Sequence, residues 1–329
     1  MPQAPVPTTV SLSALRAGHL TLPEHLFVTD ADPERRNTVP SLAFLIRHAP
    51  SKTNLVFDLG VKRDLSGYAP AMAPHIAARQ PAGAGADAED DAAASLRRGG
   101  LDPATDVDFV VLSHVHWDHV GTPADFAAAT FLVGSGTLEV LRNGAGPRYP
   151  AEIFRRDELP WDRTLELPPV PGRANGGAGG YYETHAPRHT PMPKGSLAKL
   201  PPRGPSSVIV DGRDGGASCA WKPLAGFPHT LDLYGDGSVY VVDSPAISTA
   251  TSTCWCVRAM EFAEYPDNQG GVRSVHTDTE VARTTLDGIK RFVEAGIELE
   301  GRKFKVEVVV AHDAAWAESN RGRFWPGTF

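Results

Sequence analysis

The sequence predicts an α+β fold in which sheet packs on sheet. Two apolar runs near the start, "SLAFLIRHAP" and "TNLVFDLG", flank a short polar turn and read as a hairpin. A branched apolar run, Val107 to Leu112, leads straight into "SHVHWDHVG", a strand that ends in a histidine-rich loop. Further along, strands alternate with only a few helices instead of following strict strand–helix units, which favours a mixed fold over a doubly wound one.

Taken in order, "ATFLVGSG" offers another short strand and "TLEVLRN" a brief helical pattern. The passage "GAGADAEDDAAASLRRGG" is acidic and Ala-rich and predicts a short exposed helix at its end. "GSVYVVDSP" reads as a strand entered from the turn "YGDG". In "DTEVARTTLDGIKRFVEAG", Val281, Leu286, Ile289, Phe292 and Val293 fall at helical spacing, with an acidic first turn and Gly296 as a stop. "KFKVEVVVAHD" predicts a strand whose end delivers His312. Residues 168–207 are dominated by Pro and Gly without an apolar period and read as an insertion, so His185 and His189 within it are expected to be solvated.

At 329 residues the chain can bury a substantial core, and no internal repeat divides it. Lys+Arg total 32 against Asp+Glu 39, a net charge of -7, which argues against a nucleic-acid partner. Three cysteines, Cys219, Cys254 and Cys256, do not make a disulfide framework, so a reducing compartment is expected. The first twenty residues show no signal peptide, and no window approaches the roughly 18 apolar residues of a membrane span. The expectation is a soluble, cytoplasmic protein with a small-molecule substrate and no membrane partner.

The chemistry concentrates in residues 113–121. His114, His116, Asp118 and His119 occupy six positions after a buried strand. Imidazole and carboxylate suit divalent zinc, and a loop leaving a strand can aim several of them at one point. Alternation sets His114 and His116 on one side, while Asp118 and His119, at the following turn, face a second position.

An HxHxDH motif after a strand resembles the metallo-β-lactamase superfamily. "VPSLAFLIRH", "LVFDLGVKRDL", "SLRRGGLDP", "FPHTLDLYGDGSVYVVDSP" and the terminal "AHDAAW…GRFWPG" look like its lactonase-type members. The resemblance implies a four-layer αββα sandwich as one domain over residues 1–329. It also implies zinc as the cofactor, with His114 and His116 on a first metal and Asp118, His119 and His312 on a second. Asp58, in "FDLG", would support the histidine loop from behind. The implied activity is hydrolysis of a lactone or related ester through a metal-activated water, Asp118 passing a proton to the leaving oxygen.

The pattern breaks after "VVDSP". The family's third histidine, in "PGHxxGH", and its bridging aspartate, in "GDA", are both absent, and an inner-strand region is incomplete. Back-translated with permissible codons and read from the third base, Pro245 to Arg258 yields Gly-His-Leu-Asn-Gly-His-Ile-Asn-Val-Leu-Val-Arg, the missing motif followed by an apolar strand. A reading-frame slip over about 246–260 is the favoured reading, with frame regained near Glu261; a divergent loop is the alternative. The first site then keeps two imidazoles, and weak or single metal occupancy is expected. His229, in "GFPHTLD", is the nearest spare imidazole. Rival readings are a non-catalytic remnant that binds metal poorly and a thioester hydrolase.

Overall fold

The computed structural model describes residues 9–27, 30–81, 90–147, 149–171, 220–244, 265–266, 272–273, 279–299 and 302–329. Its largest sheet has six strands in sequential order: β1 (Ser11–Pro23), β2 (Arg36–His48), β3 (Thr53–Phe57), β4 (Phe109–Val111), β5 (Thr130–Val133) and β6 (Thr164–Glu166). The first three pair antiparallel and β3 through β6 pair parallel. The expected hairpin is β2–β3. The sequence reading did not anticipate β1 or β6.

Parallel neighbours need long crossovers, and these carry the helices. α1 (Ala73–Ala78) and α2 (Ala92–Arg98) lie between β3 and β4. A one-turn helix, α3 (Trp117–Val120), lies between β4 and β5, and α4 (Thr137–Asn143) between β5 and β6. Asp91 caps α2 by accepting the Ala94 N–H at 2.6 Å. The expectation that α2 is exposed is corrected: Ala92, Ala93, Ser95 and Leu96 are buried, and the Ser95 hydroxyl donates to the Arg16 carbonyl at 2.8 Å. Its alanines are small enough to seat the helix directly on β1.

Strand alternation sorts the core into two layers. Val56, Val110, Phe131 and Val133 point to the helical side and join Leu15, Leu45 and Leu96. Leu55, Phe109, Val111 and Leu132 point the other way and meet Leu231, Leu233 and Val241. Leu231 and Val241 belong to a second sheet, β7 (Lys222–Leu224), β8 (Phe227–Asp232) and β9 (Tyr240–Val242), and Leu233 directly follows β8, so sheet packs on sheet. Both faces of the central strands are covered, which is why they read as continuous apolar runs.

Two short hairpins follow, β10 (Tyr265–Pro266) with β11 (Val272–Arg273) and, after the helix α5 (Thr279–Ala295), β12 (Ile297–Leu299) with β13 (Arg302–Phe304). On α5, Phe292 meets Phe227 of β8 with ring centroids 5.2 Å apart, adding an outer layer behind the second sheet. The four layers are thus helix, sheet, sheet, helix. Ile289 is buried as the helical spacing requires, whereas Val293 is 40% exposed, so the apolar stripe is narrower than expected.

The strand predicted to deliver His312 is short, ending at Phe304. Residues 305–310 carry no strand assignment, and at the approach to β2 the Leu42 N–H bonds the Ala311 carbonyl at 2.8 Å. After α6 (Ala314–Ser319) the C-terminal segment covers the outer edge of β1: the Trp325 N–H donates to Ala14 O and the Phe329 N–H to Leu12 O, both at 2.9 Å.

Candidate metal centre

The histidine loop is held by the segment that continues β3. The Asp58 N–H bonds the Val111 carbonyl at 2.9 Å, the Leu59 N–H bonds His119 O at 2.8 Å, and the Gly121 N–H bonds Gly60 O at 2.8 Å. Two glycines make this approach possible. A Cβ on Gly60 (φ +70°) would lie 2.0 Å from the Ala17 carbonyl oxygen, and one on Gly121 (φ +50°) 2.4 Å from the Leu59 Cβ. Beneath the loop, the Tyr68 hydroxyl donates to the Trp117 carbonyl at 2.6 Å. The buried Lys62 ammonium donates to Gly121 O at 2.8 Å and pairs with Glu158. The Ser41 hydroxyl donates to the Asp118 carbonyl at 2.5 Å.

On this platform His114 Nε2 and His116 Nδ1 converge to 2.8 Å, as the alternation of the loop requires. Asp118 and His119, on α3, turn to a second position. There Asp118, His119 and His312 bring one donor atom each to within 4.8 Å of one another. The Asp118 Oδ2 lies 3.4 Å from His312 Nε2 and 3.9 Å from His119 Nε2. His312, from the far end of the chain, receives its orientation from Pro40, whose carbonyl oxygen is 2.7 Å from His312 Nδ1. Asp58 Oδ2 stands 2.8 Å from His119 Nδ1. Among the described residues no other group of three His, Cys, Asp or Glu side chains converges this closely.

Charge follows from this packing. Burial, reinforced by His119 and His116, holds the His114 imidazole well below its ordinary value, so it is neutral. Burial likewise lowers His116, to about 4. Burial also opposes a charge on His119, but the Asp58 and Asp118 carboxylates outweigh it and raise that ring. For Asp118 the desolvation is overridden by His119 and His312, which keep the carboxyl ionised far below the usual range.

This donor set fits a divalent cation. His119 and His312 each tie Nδ1 to a fixed acceptor and turn Nε2 toward Asp118, the arrangement that orients metal-ligating histidines. Nitrogen and carboxylate oxygen are the donors zinc takes. His229 is not part of the group; it lies on β8 with Nδ1 3.7 Å from Asp243 Oδ2. His185, His189, Cys219, Cys254, Cys256 and the anomalous stretch 246–260 lie outside the described residues. The sequence reading missed Ser113, Ser41 and Pro40. It also missed Tyr149, whose ring stacks on His116 at 5.5 Å; nothing local in the sequence marks these partners.

A four-layer sandwich with a histidine–carboxylate cluster at the ends of β3 and β4 defines a metal-hydrolase type of protein. A family model described as the metallo-beta-lactamase superfamily matches residues 36–249, and the chain belongs to that superfamily. It is similar to Gamma-lactamase FDB1 of Fusarium pseudograminearum (30% identical; 52% of this chain, 44% of that protein). It is also similar to Metallo-hydrolase mfmC of Annulohypoxylon moriforme (27%; 52% and 47%) and to N-acyl homoserine lactonase AttM of Azorhizobium caulinodans (30%; 36% and 45%). The matches thus span less than half the length of these relatives. Among solved structures, an N-acyl homoserine lactone hydrolase with the product N-hexanoyl-L-homoserine bound at its catalytic metal center superimposes with TM-score 0.54 at 13% identity, covering 98% of this chain and 100% of the other. A quorum-quenching N-acyl homoserine lactone lactonase gives 0.52 at 13%, covering 99% and 100%. At such identity these two establish the fold. No helix among the described residues is long and apolar enough to cross a membrane.

Proposed function

We propose that the chain is a single metallo-β-lactamase-like domain over 1–329, interrupted at about 168–207, that hydrolyses a lactone or related ester with zinc. The observation that carries this is the convergence of Asp118, His119 and His312 from two distant parts of the chain. A divalent cation held by these three would lower the pKa of water toward neutrality and polarise a carbonyl.

The chain's own residues supply the rest. The Asp118 carboxylate, ionised and held among imidazoles, is placed to receive a proton and return it to the leaving alkoxide oxygen. Asp58 and Pro40 fix the rings of His119 and His312. Tyr149, stacked on His116, forms part of the wall beside the cluster.

A lactone is favoured because both the FDB1 and AttM names denote enzymes that act on cyclic amides or lactones. The rival reading, a remnant with one weakly held metal, is favoured by the His114–His116 pair, which has no third donor of this kind among the described residues. Metal content measured together with hydrolysis of N-acyl lactones and of acyl thioesters separates the readings. Metal with lactone turnover supports the proposal, metal with thioester turnover alone redirects the substrate, and neither metal nor turnover leaves the remnant.

A further inference from the structure

We infer that Ser113 is a positioning residue: its hydroxyl links His114 to Asp58, so that one carboxylate fixes a histidine of each half of the metal centre. The inference rests on the metal-site reading above, but its principal test requires neither metal nor turnover.

Ser113 is fully buried, immediately before His114. Its Oγ lies 2.7 Å from Asp58 Oδ2 and 2.9 Å from His114 Nδ1, and its N–H bonds Asp58 Oδ1 at 2.7 Å. A hydroxyl has one proton to give. An ionised carboxylate accepts only, so the Ser113 O–H donates to Asp58; were it turned to His114, two lone pairs would face each other at 2.7 Å. The Ser113 oxygen must then accept from His114, which places the ring proton on Nδ1. His114 Nε2 is left as the acceptor, and the neighbouring His116 Nδ1–H donates to it at 2.8 Å. The same Asp58 Oδ2 stands 2.8 Å from His119 Nδ1.

Asp58 therefore sets two rings by two routes, His119 directly and His114 through one hydroxyl. The backbone bears the cost of this placement. Asp58 sits at φ +59°, a left-handed conformation that Asp and Asn tolerate better than other residues with side chains. Strain retained at such a position is expected where the side chain is needed in one orientation. The two oxygens of Asp58 are engaged by Ser113 and His119.

The test reads the tautomers directly, by long-range 1H–15N correlation on metal-free protein labelled at histidine, at neutral pH. The native chain should show His114 as the Nδ1–H tautomer and His119 with its Nδ1 protonated. In Ser113→Ala, His114 should lose the pure Nδ1–H pattern while His119 keeps its native pattern; in Ser113→Thr, which keeps a hydroxyl, both should be native. Asp58→Asn, which keeps the tolerance for positive φ, should disturb both rings. A second readout is zinc affinity by chelator competition. Metal whose binding depends on His114 should weaken on the order of 10–100-fold in Ser113→Ala and stay within a few-fold in Ser113→Thr. A native His114 pattern in Ser113→Ala, or His119 shifting equally with it, overturns the relay. Should Ser113→Ala not fold, a disturbed His114 in Ser113→Thr, or an undisturbed His114 in Asp58→Asn, overturns it equally.

Discussion

The Nε2 of His312 stands 3.4 Å from the Oδ2 of Asp118, and the other nitrogen of the same ring lies 2.7 Å from the carbonyl oxygen of Pro40. A side chain from the C-terminal segment is thereby aimed at the histidine loop by the backbone of β2. His312→Ala removes one of three converging donors. Metal affinity should fall by more than the roughly 10–100-fold typical of losing an outer partner. Chelator competition checks this, and unchanged affinity would place His312 outside the centre.

Asp118→Asn keeps the shape of the side chain and removes its charge. With metal supplied in excess, lactone hydrolysis should drop about 10²–10⁴-fold if this carboxylate moves the proton. Hydrolysis at the native rate, with metal shown to be bound, contradicts that role.

Gly121→Ala tests the clasp between the β3 extension and the loop. The added Cβ meets Leu59 at 2.4 Å on a backbone at φ +50°. Strain and overpacking together should cost about 2–4 kcal/mol in urea unfolding. Gly136 has φ +87° but nothing within 4 Å of a Cβ, so Gly136→Ala should cost only about 1 kcal/mol. Equal costs would mean that close approach is not what Gly121 provides.

Lys62 and Glu158 form a buried ion pair, their side chains 8% and 9% exposed. Lys62→Met leaves Glu158 without its cation and should cost about 3–5 kcal/mol, most of it recovered in Lys62→Met/Glu158→Leu. Burial raises Glu158 above its ordinary 4.5, and Lys62 offsets this only in part. A carboxyl raised in the folded state binds its proton more tightly there. Its contribution is fully present below the unfolded value and is lost as pH rises through the folded one. The stability of the native chain relative to Glu158→Gln should therefore fall as pH climbs above 4.5. Unfolding curves across that window check the sign.

What the sequence made legible was local. His114, His116, Asp118 and His119 sit within six residues, and the strand before them marks where they emerge. Asp58 and His312 were legible because each ends an apolar run. The partners that orient them were not. Pro40 acts through a carbonyl that any residue would offer, Ser41 within β2 and Ser113 just past β4 look like ordinary serines, and the Lys62–Glu158 pair joins residues with no shared local pattern. The exposed-helix expectation for Ala92–Arg98 failed because a short Ala-rich segment reads as solvated until the strand it packs on is known. The predicted strand at the C-terminus stopped at Phe304 although the apolar residues run on, since one backbone bond to Leu42 replaces a full ladder.

The central claim is that this chain holds a divalent cation between Asp118, His119 and His312. Elemental analysis of protein purified without chelator, beside the His312→Ala variant and with lactone hydrolysis followed on the same samples, tests it most directly. The account predicts close to one zinc per native chain, lost together with turnover in the variant. Zinc absent from the native chain at micromolar excess, or retained unchanged without His312, would contradict it.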